Sequence, residues 1–138
     1  MASWKLRGQS LVQGKQKKVQ PDRVVSSTAK RARNTCRLIV RELGFTESSV
    51  ILEDDLYDFG MAGPLSVIQR QPTCNSLMIF GHNPAFTSLA NFLAGLGIDN
   101  VPTAGVVAIQ FDIDSWSEVD GGSGTLLFFD YPKKQDQG

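Results

Sequence analysis

His82 is the only imidazole in the 138-residue chain, and it stands in the run Leu77-Met78-Ile79-Phe80-Gly81-His82-Asn83-Pro84. A short apolar strand there runs into a turn, and a helical pattern begins directly after it. Asn83 suits an N-cap, and Pro84 suits the first helical position, where its missing N–H costs nothing. The imidazole and the unpaired N–H groups of the helix start would then face one place, at the carboxyl end of a strand. Anions are commonly held at such a place in α/β proteins. His82 and Asn83 are therefore candidate anion-binding groups, with a histidine that merely satisfies a local hydrogen bond as the alternative.

A second set of residues follows Ser26-Ser27-Thr28-Ala29. At 100° per residue, Lys30, Arg33, Arg37 and Arg41 fall on one stripe, which reads as an ordinary solvated face. Arg31 stands off that stripe, in the first turn. Helical side chains lean toward the N-terminus, so its guanidinium reaches toward the end of the preceding strand, and its fork of donors suits a phosphate. Glu53 and Asp54, in the acidic run Glu53-Asp54-Asp55, end another strand and are candidate proton donors. A solvated acidic turn is the alternative. No nucleophile–base pair, P-loop or dinucleotide-binding glycine run is present, and no metal-ligand spacing.

The elements that must position these groups follow from periodicity. Arg23-Val24-Val25-Ser26-Ser27 reads as a short strand whose terminal hydroxyls can cap a helix. That helix is expected from about Thr28 to Leu43, with Ala29, Ala32, Cys36, Ile39, Val40 and Leu43 as its apolar stripe and Gly44 as its stop. Ser49 to Tyr57 reads as a strand and residues 62–70 as a short helix. The strand through Phe80 precedes a helix from Pro84 to Ala94, stopped by Gly95. Val107, Ile109 and Phe111 alternate with Ala108, Gln110 and Asp112 as in a half-buried strand. Thr125 to Asp130 is its expected antiparallel partner. Residues 1–20, which have no clear period, are expected to be a weakly ordered basic lead-in, and no strand is expected before Arg23. The pattern predicts a three-layer α/β/α domain over residues 21–134, with a mixed, mostly parallel sheet, a C-terminal antiparallel hairpin and a short tail at 135–138.

Composition narrows the class. The chain is 41% hydrophobic and 20% charged, as a single globular domain is. No apolar run approaches the roughly 18 residues needed to span a bilayer, and no secretory signal is evident. Two cysteines, Cys36 and Cys74, read as reduced thiols and point to the cytoplasm. The net charge of zero conceals a division: residues 1–41 hold eleven of the fourteen Lys and Arg and only one acid, Asp22. Interleaved aromatics are missing from that basic region, which argues against nucleic acid as the partner.

Taken together, these residues resemble the histidine phosphatase superfamily, in particular its SixA-type phosphohistidine phosphatases. The resemblance rests on Ser26-Ser27-Thr28-Ala29-Lys30-Arg31-Ala32-Arg33-Asn34-Thr35 and on Gly81-His82-Asn83-Pro84. A third block comprises Pro102-Thr103-Ala104-Gly105-Val106, Phe111-Asp112, Ser115-Trp116 and Asp130-Tyr131-Pro132-Lys133. It implies a phosphoglycerate mutase-like fold and a hydrolase that needs neither metal nor organic cofactor. The implied substrate is a phosphohistidine on a signalling phosphotransfer protein, or a small phosphate ester, with inorganic phosphate or vanadate as site ligand. Arg31 then corresponds to the helix arginine and His82 to the second histidine, both neutralising charge on the phosphoryl group.

The family's nucleophile is a histidine in an Arg-His-Gly motif on the first strand, and this chain has no such motif. Covalent catalysis by the family route is then closed to it. The missing strand would lie inside the sheet, beside the strand that delivers the second histidine. Its absence would leave a central strand with unpaired N–H and C=O groups. Two explanations remain open: a version of a longer phosphatase lacking its first strand, or an inactive relative that only binds phosphate or a phosphoprotein.

Overall fold

A computed structural model of the chain describes residues 2–7, 21–44, 46–57, 60–72, 74–101 and 105–130. The strands are β1 (Ala2–Arg7), β2 (Arg23–Ser27), β3 (Ile51–Glu53), β4 (Ser76–Phe80), β5 (Val106–Phe111) and β6 (Gly124–Asp130). The helices are α1 (Lys30–Glu42), α2 (Ala62–Gln69) and α3 (Ala85–Ala94). One six-stranded sheet has the order β3-β2-β4-β1-β5-β6. Strands β3, β2 and β4 are parallel, β1 runs antiparallel to β4 and parallel to β5, and β6 closes an antiparallel hairpin on β5.

Alternation along the strands sorts the core into two layers. Val24, Met78, Phe80 and Ala108 face α1 and meet its Cys36 and Val40. Val25, Ile79, Val107 and Ile109 face the other way and pack with Val67 and Ile68 of α2 and Leu89 and Leu93 of α3. All five residues of β4 are buried, because helices cover both of its faces. The expected three-layer architecture is therefore present.

The Asp22 carboxylate accepts from the amides of Asn75 (2.8 Å) and Ser76 (3.3 Å), while its own amide donates to Ser76 Oγ at 2.9 Å. This clasp sets Arg23 against Leu77 and carries Ser26 level with Phe80. On the other side Ser27 lies beside Glu53. Three parallel strands thus end side by side, and the turns that follow them share one edge of the sheet.

Four elements depart from the sequence reading, the first being α1, which begins at Lys30 and not at Thr28, with Ala29 as an N-cap that no side chain bonds. No strand was expected before Arg23, yet β1 occupies the interior position, with Ala2 beside Phe80 and Leu6 beside Ser76. The physical reason is the one that made the absence costly: β4 and β5 each present a row of backbone groups that require partners. Strand β3 stops at Glu53, where residues 54–57 turn into a 3-10 helix with Leu56 buried in the core. Helix α3 begins at Ala85, one residue later than expected, and Gly95 ends it at φ +64° as expected. Residues 8–20, Pro102-Thr103-Ala104 and residues 131–138 lie outside the described residues.

Candidate functional site

The turn from β4 into α3 is held by its own side chains. Gly81 has no room for a Cβ, which would overlap Phe86 Cε1, and that ring is fully buried. Only glycine lets the strand end lie on the aromatic face. Asn83 Oδ1 accepts from the Thr87 amide (3.1 Å) and Thr87 Oγ1 (2.7 Å), and its Nδ2 donates to Asn100 Oδ1 (3.1 Å) and Val101 O (2.7 Å). The Val101 amide donates in turn to Thr87 Oγ1 at 3.0 Å. All the bonding capacity of the Asn83 side chain is used, so its part is to fix the turn, not to hold an anion with its amide.

The same accounting corrects the expectation of several open N–H groups. The Phe86 amide donates to His82 O, the Thr87 amide to Asn83 and the Ser88 amide to Pro84 O. Pro84 has no N–H. The start of α3 is mostly closed on itself, and the dipole of the helix, not a cradle of free amides, is what it offers to an anion.

His82 is the exception in this saturated turn. The residue is partly exposed, but its Nε2 is buried and has no hydrogen-bond partner among the described residues. Buried imidazole nitrogens are ordinarily paired, since an unpaired one costs about 1–3 kcal/mol. Beside it lies Tyr57, whose ring centroid is 5.1 Å from the imidazole with the planes tilted by 46°. Sequence reasoning missed Tyr57. It reaches His82 because Leu56 is drawn into the core under the 3-10 turn, which leaves its neighbour directed along the sheet edge and 56% exposed.

The acids divide. Glu53 and Asp55 both meet Arg70, the C-cap residue of α2, at 3.5 and 3.1 Å. Asp54 instead accepts a hydrogen bond from Thr28 Oγ1 at 2.9 Å, which ties the acidic turn to the β2–α1 turn. In that second turn, Ser27 Oγ accepts from the Ala29 amide at 3.1 Å. Arg31 is exposed in the first turn of α1 and makes no hydrogen bond to His82. The structure therefore sets Thr28, Glu53, Asp54, Tyr57 and His82 along one edge, with Arg31 one turn into the helix that leaves it. A cavity of about 430 Å³ at this end of the sheet is lined by Ser26, Thr28, Lys30, Arg33, Asn34, Cys36, Arg37, Val50 and Leu52, and so includes neither Arg31 nor His82. Among the described residues no cluster of three metal-ligating side chains occurs, and no helix is long and apolar enough to cross a membrane.

No family model matches the sequence, and no curated protein matches it. Among solved structures, the chain is similar to SixA from Agrobacterium tumefaciens, a candidate phosphohistidine phosphatase. The two share 21% identity and a TM-score of 0.66, over 96% of this chain and 98% of that one. The chain has that protein's fold, over nearly the whole length of both.

Proposed function

We propose that this chain is a phosphohistidine phosphatase-like protein that holds a phosphoryl group at His82 but, lacking a nucleophilic histidine, does not turn it over. The observation that carries the reading is the buried Nε2 of His82, unpartnered among the described residues, in a turn where the whole side chain of the neighbouring Asn83 is committed. A phosphoryl oxygen would complete that nitrogen as a hydrogen-bond acceptor, and a charged acceptor makes the bond stronger. Arg31, which makes no ion pair with a described residue, supplies a positive group from the start of α1. The fold shared with a candidate phosphohistidine phosphatase supports the same class of ligand.

The phosphoryl group belongs, in this reading, to a phosphohistidine on a signalling protein in the cytoplasm, or to a small phosphate ester. Asp54 is the better of the two candidate proton donors, because Glu53 already faces the Arg70 guanidinium. A leaving imidazole needs a proton as its bond to phosphorus breaks, and in this reading the Asp54 carboxyl would provide it. The covalent half of the reaction needs a second imidazole, and the sequence has one histidine in all.

A second reading, a non-catalytic phosphate- or phosphoprotein-binding module, draws on the direction of β1. That strand starts beside Phe80 and ends beside Ser76, so its carboxyl end lies at the opposite edge of the sheet from His82. Nothing placed at the end of such a strand can attack a phosphorus held by His82.

Titrating the chain with inorganic phosphate and with vanadate, while following the His82 ring by NMR, tests the proposal. Saturable movement of the ring signals at millimolar phosphate, weakened in Arg31→Ala, is expected. Ring signals that stay fixed would remove the phosphoryl assignment. Release of phosphate from a phosphohistidine peptide by this chain would overturn the reading of the missing nucleophile.

A further inference from the structure

The basic stripe of α1 is not simply a solvated face. Lys30, Arg33 and Arg37 form one wall of the 430 Å³ groove, and Val50 and Leu52 beside the edge of the sheet form the other. The groove exists because α1 packs mainly on β2 and β4 and leaves the corresponding face of β3 uncovered. Leu52 is 47% exposed as a result. Ser26 and Cys36, both buried, lie at its bottom.

We infer that this groove receives an acidic, leucine-bearing extended segment of a partner protein. Three features select that occupant. The described lining residues include cations and no acid, and neither Lys30 nor Arg33 takes part in the ion pairs that Arg70 makes on the far side of β3. Lys30 and Arg33 are thus left to face acids from outside. The opposite wall is apolar, so the occupant must be two-sided, with acids toward α1 and branched side chains toward Val50 and Leu52. An extended chain has that alternation built in. The length agrees as well: Lys30 to Arg37 spans about 10 Å of helix axis, which three or four extended residues cover.

This inference does not rest on the phosphoryl assignment, because the groove contains neither His82 nor Arg31. Thr28, which lines the groove and also bonds Asp54, places its upper rim next to the candidate site. A partner seated there would be held beside His82.

The test uses the full isotope-labelled chain and the peptide acetyl-Glu-Leu-Glu-Leu-Glu-amide, with the Gln-Leu-Gln-Leu-Gln analogue as control. Saturable amide shifts confined to residues 28–37 and 50–53, with the His82 ring unmoved, are expected. Lys30→Glu with Arg33→Glu should weaken binding about tenfold, and raising the salt concentration should weaken it similarly. Leu52→Ser, at an exposed position that preserves the fold, should weaken it about threefold through the lost apolar contact. Equal binding of the glutamine analogue would overturn the proposal. So would shifts spread over all basic positions without saturation, which is non-specific attraction. Adenosine monophosphate displacing the peptide, with Leu52→Ser without effect, would also overturn it and assign the groove to small anions.

Discussion

The β2–α1 turn and the β4–α3 turn leave neighbouring parallel strands at the same edge of the sheet, with Ser26 level with Phe80, yet they are built in opposite ways. The first spends two hydroxyls on its own backbone, Ser26 Oγ donating to Ser27 O and Ser27 Oγ accepting from the Ala29 amide, and sends Arg31 out into solvent. The second uses a glycine that touches a buried ring and an asparagine with four bonds, and it admits one unpaired atom, His82 Nε2. One turn presents charge that can adapt to a ligand. The other fixes an imbalance in place, as a positioned functional group requires. The contrast teaches that the specificity of the site is set at β4 and its electrostatic reach at β2.

The contrast can be broken most directly at Asn83. Asn83→Ala leaves Val101 O and the Thr87 amide without their partners, and both residues are buried. A loss of roughly 2–4 kcal/mol in urea unfolding is expected, together with loss of the phosphate-induced shift at the His82 ring. An unfolding midpoint equal to that of the parent would mean the four bonds do not hold the turn.

Gly81→Ala is expected to come next, at about 1–3 kcal/mol, from overlap of the new methyl with Phe86. The melting temperature should fall by about 3–10 °C. Pairing the change with Phe86→Leu, which removes the ring Gly81 approaches, sharpens the point. If the overlap is the cause, the double variant costs less than the two single changes added together. Strict additivity would sever the link between glycine and ring.

At the other turn the expected effects shrink. Ser27→Ala removes the bond to the Ala29 amide and should cost about 1 kcal/mol, the usual net worth of one hydrogen bond. The His82 ring should keep its response to phosphate in this variant. A cost equal to that of Asn83→Ala, or a lost response at His82, would erase the difference between the turns.

These turns also show what a sequence can disclose. Strand β4, α3 and the Gly95 stop were legible because their signals are local: an apolar run, a 3.6-residue period and a glycine at positive φ. Val107, Ile109 and Phe111 announced β5 by alternation for the same reason. The sequence placed Asn83 at the N-cap, whereas Pro84 takes that position and Asn83, one residue earlier, holds the turn through four bonds. The partners Asn100 and Val101 are seventeen and eighteen residues away, and no local pattern marks them. Strand β1 was missed on similar grounds, since the strands that complete it lie at residues 76–80 and 106–111. Tyr57 was hidden by Leu56: only burial of the leucine decides that the chain turns at Asp54 and carries the ring to His82. The groove beside α1 was misread as plain solvent because its second wall comes from β3.

The smallest effect is expected at Thr28, and it is the most discriminating for the adaptable turn. Thr28→Val keeps the shape of the side chain and removes only the hydroxyl that donates to Asp54. Both partners are at the surface, where water replaces the lost bond, so stability should change by no more than about 0.5 kcal/mol. What should change is order: the Asp54 carboxylate loses its tether to the β2 turn, and its side-chain NMR signals should narrow as it becomes mobile. A stability loss above about 1 kcal/mol would show that the acidic turn is braced through Thr28. The β2–α1 turn would then be a second rigid element, and the division of labour between the two turns would fail where it is weakest.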